Sequence, residues 1–200
     1  MKVITDFLTR NGIFDIPKNQ QLIAVVKLVA EIPWGEGRTI DEVLITRGFG
    51  TCQGKHLVLQ TCFEKLEIEY RPVVCTFRWK DQSIKYPENV RKILAEGPWD
   101  HGHNFVQISA NGNLIDVDVT YNSKLKPYGF KTFPQNWDGK TSFVGVDNIV
   151  KRWDGAEMLA MKKDLIESTD PKLRERRERF LKVFIPWVES INKQIFEPLD

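Results

Sequence analysis

A thiol, an imidazole and a carboxylate stand in three short segments of this chain, in an order suited to nucleophilic catalysis. They are Cys52 in Gly50-Thr51-Cys52-Gln53-Gly54, His103 in His103-Asn104-Phe105-Val106-Gln107-Ile108, and Asp118 in Ile115-Asp116-Val117-Asp118-Val119-Thr120. A thiolate at Cys52 would attack a carbonyl carbon, and His103 would take and return the proton. Asp118 would hold the imidazole in one tautomer and stabilise its charged form without itself taking the proton.

The elements around Cys52 set it apart from the other two cysteines. It follows Gly-Phe-Gly-Thr and opens an amphipathic run to about Lys65, with Leu57, Leu59, Cys62, Phe63 and Leu66 as the apolar positions. At the first turn of such a helix, unpaired backbone N–H groups and the positive end of the helix dipole favour thiolate over thiol. The same groups can stabilise an oxyanion. The alternative is a small buried hydrophobe, the common fate of a free cysteine. Cys62, in mid-helix, and Cys75, in mid-strand, fit that alternative well.

His103 and Asp118 are related by a hairpin. Asn111-Gly112 is a strong two-residue turn signal. Such a turn pairs Ala110 with Asn113, Ile108 with Ile115, Val106 with Val117 and Phe105 with Asp118, and sets His103 opposite Thr120. Side chains alternate across a sheet. One face then carries Val106, Ile108, Ile115, Val117 and Val119 as core, and the other His103, Phe105, Gln107, Asp116, Asp118 and Thr120. Asp118 becomes the diagonal neighbour of His103, about 7–8 Å away between backbones and within side-chain reach. Asp116 lies about 6–7 Å further on, so the register prefers Asp118. The competing reading is a solvated polar face. His101 is expected in a loop at Gly102, and His56, one turn after Cys52, can reach the thiol or simply pack. No third ligand stands at recognisable spacing for a metal site built on His101 and His103.

Elsewhere, Asn19–Ile32 reads as a helix and Ile40–Thr46 as a short one opened by a Thr39/Glu42 capping box. Arg71–Trp79 reads as a strand and Glu88–Ala95 as a helix, and Tyr121–Gly139 is loop-rich. Asn148–Ser168 is read as helical. Asp170 and Pro171 open a last helix with an apolar stripe of Leu173, Phe180, Leu181, Phe184, Val188, Ile191 and Ile195, with a kink expected at Pro186. The run Arg174-Glu175-Arg176-Arg177-Glu178-Arg179 reads as a solvated helix face. Trp34, Trp79, Trp99, Trp137 and Phe105 can line a cleft or fill the core.

The bulk properties leave room for this chemistry. The 200 residues are 42% hydrophobic and 11% aromatic, enough for a sizeable core. The net charge of +2, from 29 basic and 27 acidic residues, gives no reason to expect nucleic acid or a membrane as partner. No apolar run is long enough for a bilayer, and Met1–Phe14 lacks the pattern of a signal peptide. Three cysteines fit a reducing compartment rather than a disulfide framework, so a cytoplasmic protein is expected.

Taken in order, Gly50-Thr51-Cys52-Gln53-Gly54, His103-Asn104-Phe105-Val106 and Asp118-Val119-Thr120 resemble the transglutaminase-like superfamily of papain-type cysteine enzymes. The short helix at Thr39-Ile40-Asp41-Glu42-Val43-Leu44 looks like the one that precedes the family's cysteine. The resemblance spans roughly residues 20–121. It implies an α+β fold with helices on a small antiparallel sheet, a core over residues 1–140 and a helical extension over 141–200. It also implies a Cys52–His103–Asp118 triad, no cofactor, and a peptide, protein or small amide as substrate. The expected function is amide or acyl hydrolysis or acyl transfer; the alternative is a non-catalytic interaction module on the same fold. Phe105 stands where many members carry tryptophan, and Val119 where many have proline. Thr46 occupies the spacing at which papain-type proteases place a glutamine oxyanion donor. Arg47-Gly48-Phe49-Gly50-Thr51-Cys52 also resembles the Arg-Gly-Gly-x-Cys segment of arylamine N-acetyltransferases, whose chains are longer and continue into a β-barrel.

Overall fold

The computed structural model describes residues 2–110, 112–155 and 158–193. Asn111 of the expected turn and Ile195 of the expected stripe lie outside them. The chain is a mixed α+β protein in which helices cover a four-stranded antiparallel sheet. In chain order the elements are α1 (Lys2–Arg10), α2 (Lys18–Ala30), α3 (Cys52–Lys65), β1 (Tyr70–Phe77), α4 (Glu88–Ala95), β2 (His101–Ala110), β3 (Asn113–Val117), β4 (Lys151–Asp154), α5 (Met158–Glu167) and α6 (Pro171–Lys193). The strand order is β3-β2-β1-β4.

The hairpin takes the register that a two-residue turn dictates: Ala110 faces Asn113, Ile108 faces Ile115 and Val106 faces Val117. Gly112 has φ +79°, a backbone conformation that a side chain disfavours. Asp118 and Thr120 lie just beyond the last paired residue of β3. On one face, Val106, Ile108, Ile115, Val117 and Val119 pack against α1, α2 and α3, whose core residues include Leu8, Val25, Val29 and Leu59.

The opposite face is not solvated. Val73, Cys75, Phe77 and Phe105 are sealed by an aromatic layer from α6, with Phe180 and Phe184 stacked at 4.8 Å. The expected stripe of α6 supplies this cover, each buried phenylalanine contributing about 1.5–3 kcal/mol. α6 runs through Pro186, and Asp170 caps it by accepting from the backbone N–H of Lys172 (2.9 Å) and Leu173 (3.4 Å).

Two expectations are corrected here. Residues 148–168 are not one helix: Lys151–Asp154 form β4, an edge strand on β1 that pairs Val73 with Asp154 and Cys75 with Arg152. Four residues of mixed polarity carry no strand signal, and the unpaired edge of β1 selects the conformation. His101 is not in a loop either; it opens β2 opposite Phe77. Near the N-terminus the capping box forms, with Thr39 Oγ1 accepting from Glu42 N (3.2 Å) and Glu42 Oε2 from Thr39 N (3.2 Å). The turn it opens is a wide π turn over Glu42–Thr46. Among the described residues no helix is long and apolar enough to cross a membrane.

Candidate active site

Cys52 is the first residue of α3, and Thr51 is its cap. Thr51 Oγ1 accepts from Gly54 N (3.3 Å) and donates to the carbonyl of Gly37 (2.9 Å), so the same hydroxyl ends the helix and binds it to the preceding loop. Gly54 is required by that closeness rather than by a turn. A Cβ there would lie 2.2 Å from the Gly37 carbonyl oxygen and 2.8 Å from Val43 Cγ2. Gly54→Ala should push the loop off the first turn of α3 and cost about 1–3 kcal/mol. Urea denaturation would measure it, and an unchanged midpoint would contradict the tight contact.

His103 comes from β2 and is 2% exposed. Its Nε2 donates to Asp118 Oδ2 at 2.7 Å, which leaves Nδ1 as the nitrogen available to the thiol of Cys52. Burial acts to lower the pKa of His103. The charge and hydrogen bond of Asp118, and then the hydrogen bond and charge of Cys52, outweigh it and hold the ring up at about 9. Phe77 meets the ring edge-on at 5.7 Å between centroids.

Asp118 is fully buried and accepts four hydrogen bonds from the described residues. Oδ2 takes His103 and the N–H of Gly145 (2.8 Å), and Oδ1 takes the N–H (3.0 Å) and hydroxyl (2.5 Å) of Thr120. Burial opposes its ionisation. The positive charge and hydrogen bond of His103, with the hydrogen bond of Thr120, prevail and hold the carboxyl well below its usual range. Asp116 is engaged elsewhere, in a two-pronged pair with Arg152 at 2.7 and 2.8 Å.

The first turn of α3 is bound to the strands by its neighbours. The carbonyl of Cys52 accepts from Asn104 Nδ2 (3.2 Å) and from His56 Nδ1 (2.7 Å). His56 Nε2 accepts from the N–H of Val119 (3.3 Å), so its proton sits on Nδ1 and the ring is neutral. Burial pushes the His56 pKa down to about 4, against the opposing pull of Asp118. His56 is thus a brace, not a base. Next to it, Lys55 is buried with its ammonium donating to three carbonyls: Ala30 (2.9 Å), Ile32 (2.7 Å) and Thr120 (3.0 Å). Burial lowers its pKa to about 7, with Glu31 and Asp118 opposing.

Sequence reasoning passed over Lys55, Asn104, Thr120 and Gly145 as positioning groups. Lys55 had a signal: it falls on the apolar face of α3 with Val58, Leu59 and Cys62, where a lysine needs an explanation. Gly145 had none, since only folding brings the 140s loop to Asp118. Thr46 is exposed and does not line the cavity beside Cys52. Cys62 is buried in α3, and burial pushes its thiol up to about 12; Cys75 is buried in β1.

Cys52 and His103 line a cavity of about 130 Å³. Trp34, Trp79 and Tyr121 form part of its apolar wall, and Leu181 and Ile185 enter from α6. Trp99 lines a small adjoining hollow, while Trp137 and Phe105 are core. The arginine run of α6 is not a plain solvated face. Arg176 is buried over Trp99 (5.0 Å), Arg177 lines the Cys52 cavity, and Arg179 pairs with Glu96. No group of three His, Cys, Asp or Glu side chains able to hold a metal ion occurs among the described residues.

Compared with protein-family models the chain matches none, and a search of curated proteins returns no match.

Proposed function

We propose that the protein is a cysteine-dependent acyl hydrolase or acyltransferase of papain/transglutaminase-like type. Cys52 is its nucleophile, His103 its acid and base, and Asp118 the carboxylate that orients the ring. The observation that supports this reading is the Nε2–Asp118 hydrogen bond of 2.7 Å, which turns the other ring nitrogen of a buried histidine toward a helix-start cysteine on the wall of a cavity. A histidine held up at about 9 carries its proton at neutral pH, and a thiolate–imidazolium pair is then favoured over thiol and neutral ring.

The thiolate of Cys52 attacks the carbonyl carbon of an amide or related acyl donor. The positive pole of the first turn of α3 stabilises the oxyanion. As the C–N bond breaks, the departing amine takes the proton from His103, leaving an acyl-Cys52 thioester and a neutral ring. Water or a second amine then attacks the thioester, gives its proton to His103, and expels the thiolate. The kinetics are ping-pong.

The test is alkylation of Cys52 by iodoacetamide across pH, read on the Cys52 peptide by mass spectrometry. Wild-type Cys52 should label rapidly at pH 6, where an ordinary thiol with a pKa of about 8.5 is almost wholly protonated. His103→Ala should slow labelling at pH 6 by about tenfold or more and have much less effect at pH 9.5, where the thiol ionises unaided. Equal labelling of the two proteins at pH 6 would sink the ion pair and favour a non-catalytic module.

A further inference from the structure

Arg176, Arg177 and Arg179 lie close together on α6, and the first and last of them are engaged. Arg176 donates to the carbonyl of Pro98 (3.1 Å) and lies over Trp99, and Arg179 grips Glu96 at 3.0 and 2.6 Å. Arg177, half-buried, makes no side-chain hydrogen bond or close ion pair among the described residues. It lines the Cys52 cavity, and so does Arg38 from the loop between α2 and α3. The side chain of Arg38, an exposed residue, makes no close ion pair among the described residues, although its charge reaches Glu42, and no described Asp or Glu side chain lines the cavity. Burial, and after it the positive charge of Arg38, work against the charge on Arg177, while Cys52 and Glu178 favour it. A half-buried guanidinium beside a second one gains from an anion that joins them, and no described carboxylate on the cavity wall does so. The planar guanidinium fork fits carboxylate and phosphate oxygens in pairs.

Resting on the reading of Cys52 as the nucleophile, we infer that the cavity selects acyl substrates carrying an anionic group, a carboxylate or a phosphate, seated by Arg38 and Arg177. At about 130 Å³ the cavity has room for little more than a benzene-sized group. The anion therefore lies within about a side chain's length of the reacting carbonyl.

Iodoacetate and iodoacetamide test this directly, because they differ only in charge. In each reaction the thiolate attacks the methylene carbon, a C–S bond forms, and iodide leaves with the electrons of the C–I bond. With the full-length chain, the ratio of iodoacetate to iodoacetamide rates at Cys52 should fall about tenfold in Arg177→Gln and in Arg38→Gln. It should hold in Arg91→Gln, on α4 and outside the cavity. An unchanged ratio, or an equal fall with both reagents, overturns the inference; the equal fall would mean that the arginines act on the thiolate instead.

A second arm does not need the thiol. In Cys52→Ala at constant ionic strength, inorganic phosphate or succinate should raise the unfolding temperature, and Cys52→Ala/Arg177→Gln should lose that rise. The more effective anion identifies the source. No rise with either overturns the inference. Slow labelling of Cys52 together with an anion-dependent rise would instead defeat the acyl-transfer reading and leave the anion site standing.

Discussion

Cys52→Ser is expected to lower turnover of any acyl donor by about 10³-fold or more and to abolish the covalent adduct seen by intact mass. The severity follows from the protonation of His103. A serine hydroxyl must hand its proton to a base as it attacks, whereas in the wild type His103, held up at about 9 by Asp118 and Cys52, already carries a proton at neutral pH beside the thiol. The site suits a thiolate–imidazolium pair, and oxygen cannot join it. Serine should therefore fail by much more than its small change in size suggests. A chromogenic ester and mass spectrometry suffice as the measurement. Residual activity within tenfold of wild type would mean that the chemistry runs elsewhere.

Lys55→Met should cost about 3–5 kcal/mol of stability, seen as a fall of about 10 °C in the unfolding temperature. Methionine fills much of the volume but leaves the carbonyls of Ala30, Ile32 and Thr120 facing an apolar group. Those three carbonyls belong to the end of α2, the loop before the cysteine and the segment after Asp118. The Lys55 amino group thus ties together segments beside Cys52 and Asp118. The loss has a pH signature. Burial lowers the folded-state pKa to about 7 from 10.5, so the unfolded chain binds the proton more tightly between those values. The stability that Lys55 adds is fully present above 10.5 and declines as pH falls through about 7. The gap between wild type and Lys55→Met should widen from pH 7 to 10. A gap below 1 kcal/mol at every pH would refute the tie.

The local parts of the site were legible in the chain. A glycine-bounded threonine before an amphipathic run sets the start of α3 at Cys52, because capping depends on neighbours in sequence. The side-chain period of two, counted from the turn, puts Asp118 rather than Asp116 beside His103. What the strand pattern could not tell was that the face bearing His103 and Phe105 is covered. Polar residues on a strand look the same under an aromatic helix as under water. β4 was illegible for a related reason: its conformation is chosen by the free edge of β1. Arg177 was misread because its charge invited a surface role, and only the placement of α6 carries it into the cavity.

The cover supplied by α6 also has a place in time. Leu181, Ile185 and Arg177 complete the cavity, and Asn192 donates to the Trp34 carbonyl (3.0 Å) and accepts from Asn122 (2.9 Å). A ribosome adds about 5–20 residues each second, so Cys52, His103 and Asp118 are all synthesised several seconds before the helix that roofs them. During that interval the nascent chain holds its thiol in an unfinished site with one wall missing. The wall that would close a pocket around an acyl group is translated well after the residues it covers.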